Sequence, residues 1–138
     1  MVIYDCSNDA MGAIIMIDVT RMVTLSNVPR MYRDLHMVCG DIPIILCGNK
    51  IDMDNKEVHA RHLVRFLRQH NLEYIEISAL SNYNFEKPFL SFITSLDARE
   101  DSDVRFDQLP DLLPHEVEFD IEAQTLREEE LENSLVLQ

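Results

Sequence analysis

Asn49, Lys50 and Asp52 follow directly on the apolar run at 43–47 (PIILC), within the stretch IILCGNKIDM that begins at Ile44. Side chains of these types at this spacing suit the reading of a nucleobase edge. Guanine presents a ring N–H beside an exocyclic amine, and one carboxylate, Asp52, accepts both as a charge-assisted bidentate pair. Adenine presents a different edge and would leave that carboxylate unmatched, which is how a polar site gains large specificity. Asn49 supplies an amide able to bond a base and to tie its loop to a neighbouring one. Lys50 can lay its alkyl stem along a base while its ammonium stays in water. Gly48 is expected to let the backbone turn tightly after a strand. A second segment, Ser78-Ala79-Leu80, follows the next apolar run, and its backbone N–H groups suit the guanine carbonyl oxygen. The same residue types also make ordinary polar turns after strands, so the pairing of the two segments carries the reading.

Three short apolar runs must position these residues: 13–19 (AIIMIDV), 43–47 (PIILC) and 74–77 (YIEI). The first two are continuous rather than alternating, as in strands of a parallel sheet covered on both faces. Helical patterns separate them. One runs from Thr24, a plausible N-cap, to Val38, with Val28, Met31, Tyr32, Leu35 and Val38 at helical spacing and Pro29 tolerated near its start. Gly40 can close it. A second covers 58–70 with Leu63, Val64, Phe66 and Leu67 inward, and a third covers 84–96 with Phe85, Phe89, Leu90 and Ile93 inward. Strand–helix alternation of this kind predicts an α/β fold of three parallel strands with flanking helices and right-handed crossovers. Ligands of such sheets sit outside the carboxyl ends of the strands, where both polar segments fall. Residues 97–114 read as an extended linker. Residues 115–133 read as an acidic helix with Val117, Ile121, Leu126 and Leu131 as anchors, frayed by the self-repelling Glu128-Glu129-Glu130 unless it is bound.

The chain has 138 residues and a formal net charge of −13. Residues 1–96 hold 11 acids and 9 bases, whereas residues 97–138 hold 14 acids and 3 bases, so the acidity belongs to the last third. A nucleic-acid partner is not expected for such a chain, and a basic protein surface fits better. No apolar run is long enough to span a bilayer, and neither a signal peptide nor a C-terminal prenylation box is read, so no membrane partner is expected. Cys6, Cys39 and Cys47 lack metal spacing and suit free thiols in a reducing compartment. His59 and His62 stand three apart and read as solvent-facing, with no third ligand evident.

The segments AIIMIDVT, VTLSNVPRMYRDLHMVCGDIPIILCGNKID, NLEYIEISALSNYNFEKPFL and LPDLLPHEVEFD occur in this order. Together they resemble the Ran family of small GTPases, within the Ras superfamily, over about Tyr4 to Leu126. SNYNFEKPFL is the most specific of the matches. The resemblance implies a Ras-like fold over 1–96, followed by a linker and acidic tail over 97–138. It implies GTP or GDP as ligand, transport receptors and Ran-binding proteins as partners, and a nuclear and cytoplasmic setting. Asn49, Lys50 and Asp52 match the family's base-reading motif, and Ser78 and Ala79 match its second base-contacting motif. Leu80 stands where the family has lysine. The chain holds no G-x-x-x-x-G-K-[ST] phosphate loop. An Asp-x-x-Gly switch element is not found from Asp5 to Asp9. The fold is therefore expected to be partial, without the N-terminal strands, the phosphate loop or a Mg²⁺ site, and without catalytic residues or hydrolysis. On the helix at 57–70 the family's basic stretch is reduced to Lys56, Arg61, Arg65 and Arg68. The strand at 13–19 is expected to stand at a sheet edge, open to self-association. The alternative is a non-enzymatic partner-binding remnant, or a truncated product without function.

Overall fold

The structure, a computed structural model, describes residues 10–97 and 119–136. The expected linker at 97–114 and the anchor Val117 lie almost wholly outside the described residues. Three strands, β1 (Ala13–Asp18), β2 (Ile44–Asn49) and β3 (Glu73–Glu76), form one sheet in the order β1-β2-β3. Both pairings are parallel, with Ile15 opposite Leu46 and Cys47 opposite Ile75. The α/β expectation is met. The central strand is buried from Ile44 to Gly48, which is why its sequence does not alternate.

Each face of the sheet has its own core. Ile15, Ile17, Ile44 and Leu46 pack with Val28, Leu35, Leu63 and Leu67 on one side. Ile45, Cys47, Ile75 and Ile77 pack with Ile14 and Phe92 on the other. Full burial of such a side chain stabilises by ~1.5–3 kcal/mol, so these strands are the rigid part on which the loops stand. Among the described residues β1 is one margin of the sheet, and Met16 on it is 51% exposed.

The helices correct several expectations. The helix expected from Thr24 to Val38 is two helices, α1 (Met22–Ser26) and α2 (Val28–Cys39). Pro29 has no N–H to continue the ladder to Leu25, so the helix breaks at Asn27 and restarts with proline in its first turn. Thr24 is no N-cap; it sits inside α1, where its hydroxyl bonds the Asp18 and Arg21 carbonyls at 2.9 and 2.8 Å. Val38 faces solvent. Gly40 does close α2, at φ 72°. The next helix, α3 (Ala60–His70), is capped by His59 and ends on Asn71 in the left-handed region. Val58 precedes it, fully buried. The next helix, α4 (Lys87–Asp97), starts later than expected, after two left-handed asparagines, Asn82 and Asn84. That start rotates the helix: Phe89 and Leu90 are exposed, and Phe92 meets the sheet instead.

The acidic helix, α5 (Ile121–Val136), begins with Asp120, whose carboxylate accepts the Ala123 N–H at 3.0 Å. It is docked rather than frayed. Ile121 and Leu126 are exposed, and the helix is held by Leu131, Gln124 and Arg127. Glu128 accepts from Tyr83 Oη, Asn84 Nδ2 and Gln124 Nε2, so the expected repulsion of the glutamate run is offset by donors on one of its members.

Candidate functional site

Parallel register carries β1, β2 and β3 to a common carboxyl end, with Asp18 opposite Asn49. The residues singled out from sequence all gather there. Asn49 closes β2. Its Oδ1 accepts the Lys50 N–H at 2.8 Å and the Ala79 N–H at 3.0 Å, so one side chain clasps the loops after β2 and β3. The Asp52 carboxylate accepts the Ser78 hydroxyl at 2.5 Å. Ser78 is fully buried, and its Oγ in turn accepts the Ser81 N–H at 3.1 Å. Asp52 is thereby oriented by a side chain that cannot move without disturbing the core. Leu80 is 60% exposed on the same loop, free to cover an apolar face.

Gly48 does not make the turn. It lies inside β2, opposite Ile17 and Glu76, with no positive φ. A Cβ there would run into the Tyr74 hydroxyl and stand 2.9 Å from Tyr74 Cζ and 2.9 Å from Val19 Cγ1. Glycine is required by close approach of a side chain. The turn is made by Lys50 at φ 69°, and the Met53 N–H returns to the Lys50 carbonyl at 3.1 Å. Nor is the Lys50 ammonium left to water: it pairs with Asp18 Oδ2 at 2.7 Å.

Asp18 was not singled out from the sequence, although it ends β1 as Asn49 ends β2. Its Oδ1 accepts the Thr20 N–H at 2.9 Å and the Thr20 hydroxyl at 2.6 Å. Burial pushes its carboxyl up, but hydrogen bonds from Lys50 and Thr20, with the Lys50 charge, hold it below the usual carboxylate range. Aligning the two runs in parallel register is the signal that finds it.

The Ala79 N–H, expected to meet a carbonyl oxygen of the base, is donated to Asn49 in this arrangement. A base must therefore compete for it. An Asp-x-x-Gly spacing does exist, at Asp9-Ala10-Met11-Gly12, contrary to the reading of 5–9. Gly12 lies under the Phe92 ring, where a Cβ would stand 3.2 Å from Cζ, so packing accounts for that glycine. Asp9 lies outside the described residues. His59 and His62 serve the start of α3: the His59 N–H donates to His62 Nδ1 at 3.1 Å. Burial, then the Arg61 and His59 charges, hold the His62 imidazole below its usual range. Among the described residues no group of three His, Cys, Asp or Glu side chains is placed to hold a metal ion, and no helix is long and apolar enough to cross a membrane.

Chemically, the arrangement offers one oriented carboxylate, one amide, a lysine stem and an exposed leucine around the carboxyl ends of β2 and β3. That set can recognise a planar heterocycle with adjacent N–H donors. A family model of the Ras family matches residues 2–98 of the chain.

Proposed function

This chain belongs to the Ras family of guanine-nucleotide-binding small GTPases, and from that premise we propose that it is a Ran-like member carrying the base-reading half of the nucleotide site. The observation that carries the reading is Asp52, held in place by buried Ser78 at 2.5 Å and free to accept the two adjacent donors of guanine. Asn49, Lys50, Ala79 and Leu80 flank the base. Triphosphate binding in P-loop proteins rests on a glycine-rich loop, its lysine and Mg²⁺. The 138 residues contain no G-x-x-x-x-G-K-[ST], so this chain is proposed to bind GTP and GDP weakly and not to hydrolyse GTP. Base contacts of ~1–3 kcal/mol each face an association cost of ~4–15 kcal/mol, which gives millimolar affinity or worse. Calorimetry on the purified chain with GDP and ADP tests this. Guanine is expected to be preferred, the preference vanishing in Asp52→Ala. Micromolar GDP binding, or equal binding of ADP, sinks the proposal.

The nucleocytoplasmic transport role, with transport receptors and Ran-binding proteins as partners in nucleus and cytoplasm, is supported by the SNYNFEKPFL segment and the acidic helix. A second reading, a partner-binding remnant without nucleotide function, is favoured by the internal use of the Ala79 N–H. Pull-down by transport receptors irrespective of added nucleotide would select it. The marginal position of β1, with Met16 half-exposed, supports self-association through that strand. Light scattering that finds only monomer at every concentration rejects this.

A further inference from the structure

Asn49 has a further partner at the base-reading end of the sheet. Its Oδ1 is engaged by the Lys50 and Ala79 N–H groups, which fixes which way the amide lies. Nδ2 is left to donate to the sulfur of Met16 at 3.7 Å. Register explains the meeting: Met16 pairs with Cys47 two residues before Asp18, and Asp18 pairs with Asn49. Strand alternation puts Met16 on the face of β1 that carries Ile14. Ile14 and Phe92 pack against the core of that face, whereas Met16 is 51% exposed. The thioether is therefore reachable from solvent and bonded to the side chain that clasps the loops after β2 and β3.

A thioether is a weak acceptor, and it is also the atom of methionine that a peroxide oxidises. A sulfur lone pair bonds to one oxygen of hydrogen peroxide and the O–O bond breaks. The second oxygen takes the proton of the first and leaves as water. Sulfur is oxidised, peroxide is reduced, and no other reactant is needed. The sulfoxide oxygen is strongly polar, and the unbranched side chain lets it turn to Nδ2. Exposure alone does not single out Met16, because Met11, Met37 and Met53 are exposed too; the bond to Asn49 does. Cys47, its neighbour in register, is fully buried and offers peroxide no competing thiolate. We propose that Met16 is a peroxide-modified site whose sulfoxide captures the Asn49 amide and holds it away from a base. Reduction to the thioether releases it. The effect on a base rests on the base-reading function proposed above, whereas the capture itself does not.

The ¹⁵N-labelled full chain treated with hydrogen peroxide tests the proposal. Peptide fragmentation in a mass spectrometer reports sulfoxide at each methionine, and Met16 is expected to convert along with Met37. The Asn49 side-chain amide proton is expected to move downfield and to exchange more slowly with water. Methionine sulfoxide reductases for both epimers should reverse both changes. In Met16→Leu, peroxide should leave the Asn49 resonance unmoved while the other exposed methionines oxidise. Shifts induced by guanosine monophosphate should need about threefold to tenfold more nucleotide after oxidation, the worth of one hydrogen bond. Met16 left intact when Met37 is fully converted, an Asn49 amide that does not respond or exchanges faster, or the same response in Met16→Leu overturns the proposal. Equal nucleotide binding before and after oxidation overturns it as well. An Asn49 response with no nucleotide binding in either state upholds the capture and overturns the base-reading function instead. Reversal by the reductases is read on the unaltered chain, so it decides the matter even if Met16→Leu fails to fold.

Discussion

Replacing Arg127 by Met should release α5 from the sheet. Glu76, only 4% exposed, receives Arg127 Nε on both oxygens at 2.9 Å, Gln124 Nε2 at 2.6 Å and Tyr74 Oη at 3.0 Å. Arg127 also donates Nη2 to the Val58 carbonyl at 2.6 Å, tying α5 to the segment before α3. Methionine keeps the stem and removes the Arg127 donors, leaving Glu76 with Gln124 Nε2 and Tyr74 Oη but no countercharge. Breaking one partner of a buried pair leaves the other charge unmatched, at ~3–5 kcal/mol. Charge-assisted hydrogen bonds at ~1.5–3 kcal/mol each reach the same range. Against a total stability of ~5–15 kcal/mol, the change is large enough to read in urea unfolding followed by circular dichroism. The double variant Arg127→Met, Glu76→Gln removes the orphaned charge and should cost less than the two single losses together, by ~1–3 kcal/mol. An Arg127→Met loss below ~1 kcal/mol would mean that Glu76 finds water when the helix lifts, and that the pair is not what holds α5.

Two further outcomes follow from packing and burial. Gly48→Ala forces Tyr74 away from β2 and should destabilise by ~1–3 kcal/mol, with part regained when Tyr74→Phe removes the hydroxyl; thermal melts of both variants measure it. Burial, reinforced by the Glu73 charge, pushes the Cys47 thiol from 9.0 up to about 12. A folded-state value raised above the unfolded one gives stability that is complete below the unfolded value and lost as pH rises toward the folded one. Stability should therefore fall between about pH 9 and pH 12, and urea midpoints should fall less steeply in Cys47→Ala. The fall should not vanish, because burial and the Glu76 carboxylate hold the Tyr74 hydroxyl well above its usual range as well.

The parts of the fold legible in sequence are those set by short-range pattern. Continuous burial of β2 shows as Ile-Ile-Leu-Cys, and the paired ends of β2 and β3 follow from where the apolar runs stop. Helix phase was harder to read, because it depends on where each helix starts. Two left-handed asparagines delay α4, and Phe92 replaces Phe89 as the residue that meets the sheet. The docking of α5 was invisible for a different reason. A buried glutamate on β3 and an arginine 51 positions later carry no local pattern, and a lone Arg127 within an acidic helix reads as solvated. In the site, residue types identified Asn49 and Asp52, but Asp18 needed the register of β1 on β2, and Gly48 needed the neighbour that crosses it.

The internal bonds of the loops also bear on how weakly a base should bind. Asn49 Oδ1 serves two N–H groups, Lys50 serves Asp18, and Ser78 serves Asp52. Each such bond contributes ~0.5–1.5 kcal/mol net, so the loops keep their shape with no ligand present. The same bonds must be exchanged when a base enters. A guanine carbonyl that takes the Ala79 N–H leaves Asn49 Oδ1 with one donor, and that contact is nearly an exchange of equals. Only the groups with open capacity add affinity outright: the Asp52 carboxylate, which accepts one hydroxyl and has lone pairs left, and the exposed face of Leu80. The clasp between β2 and β3 is thus structural first, and discrimination of the base falls almost wholly on Asp52.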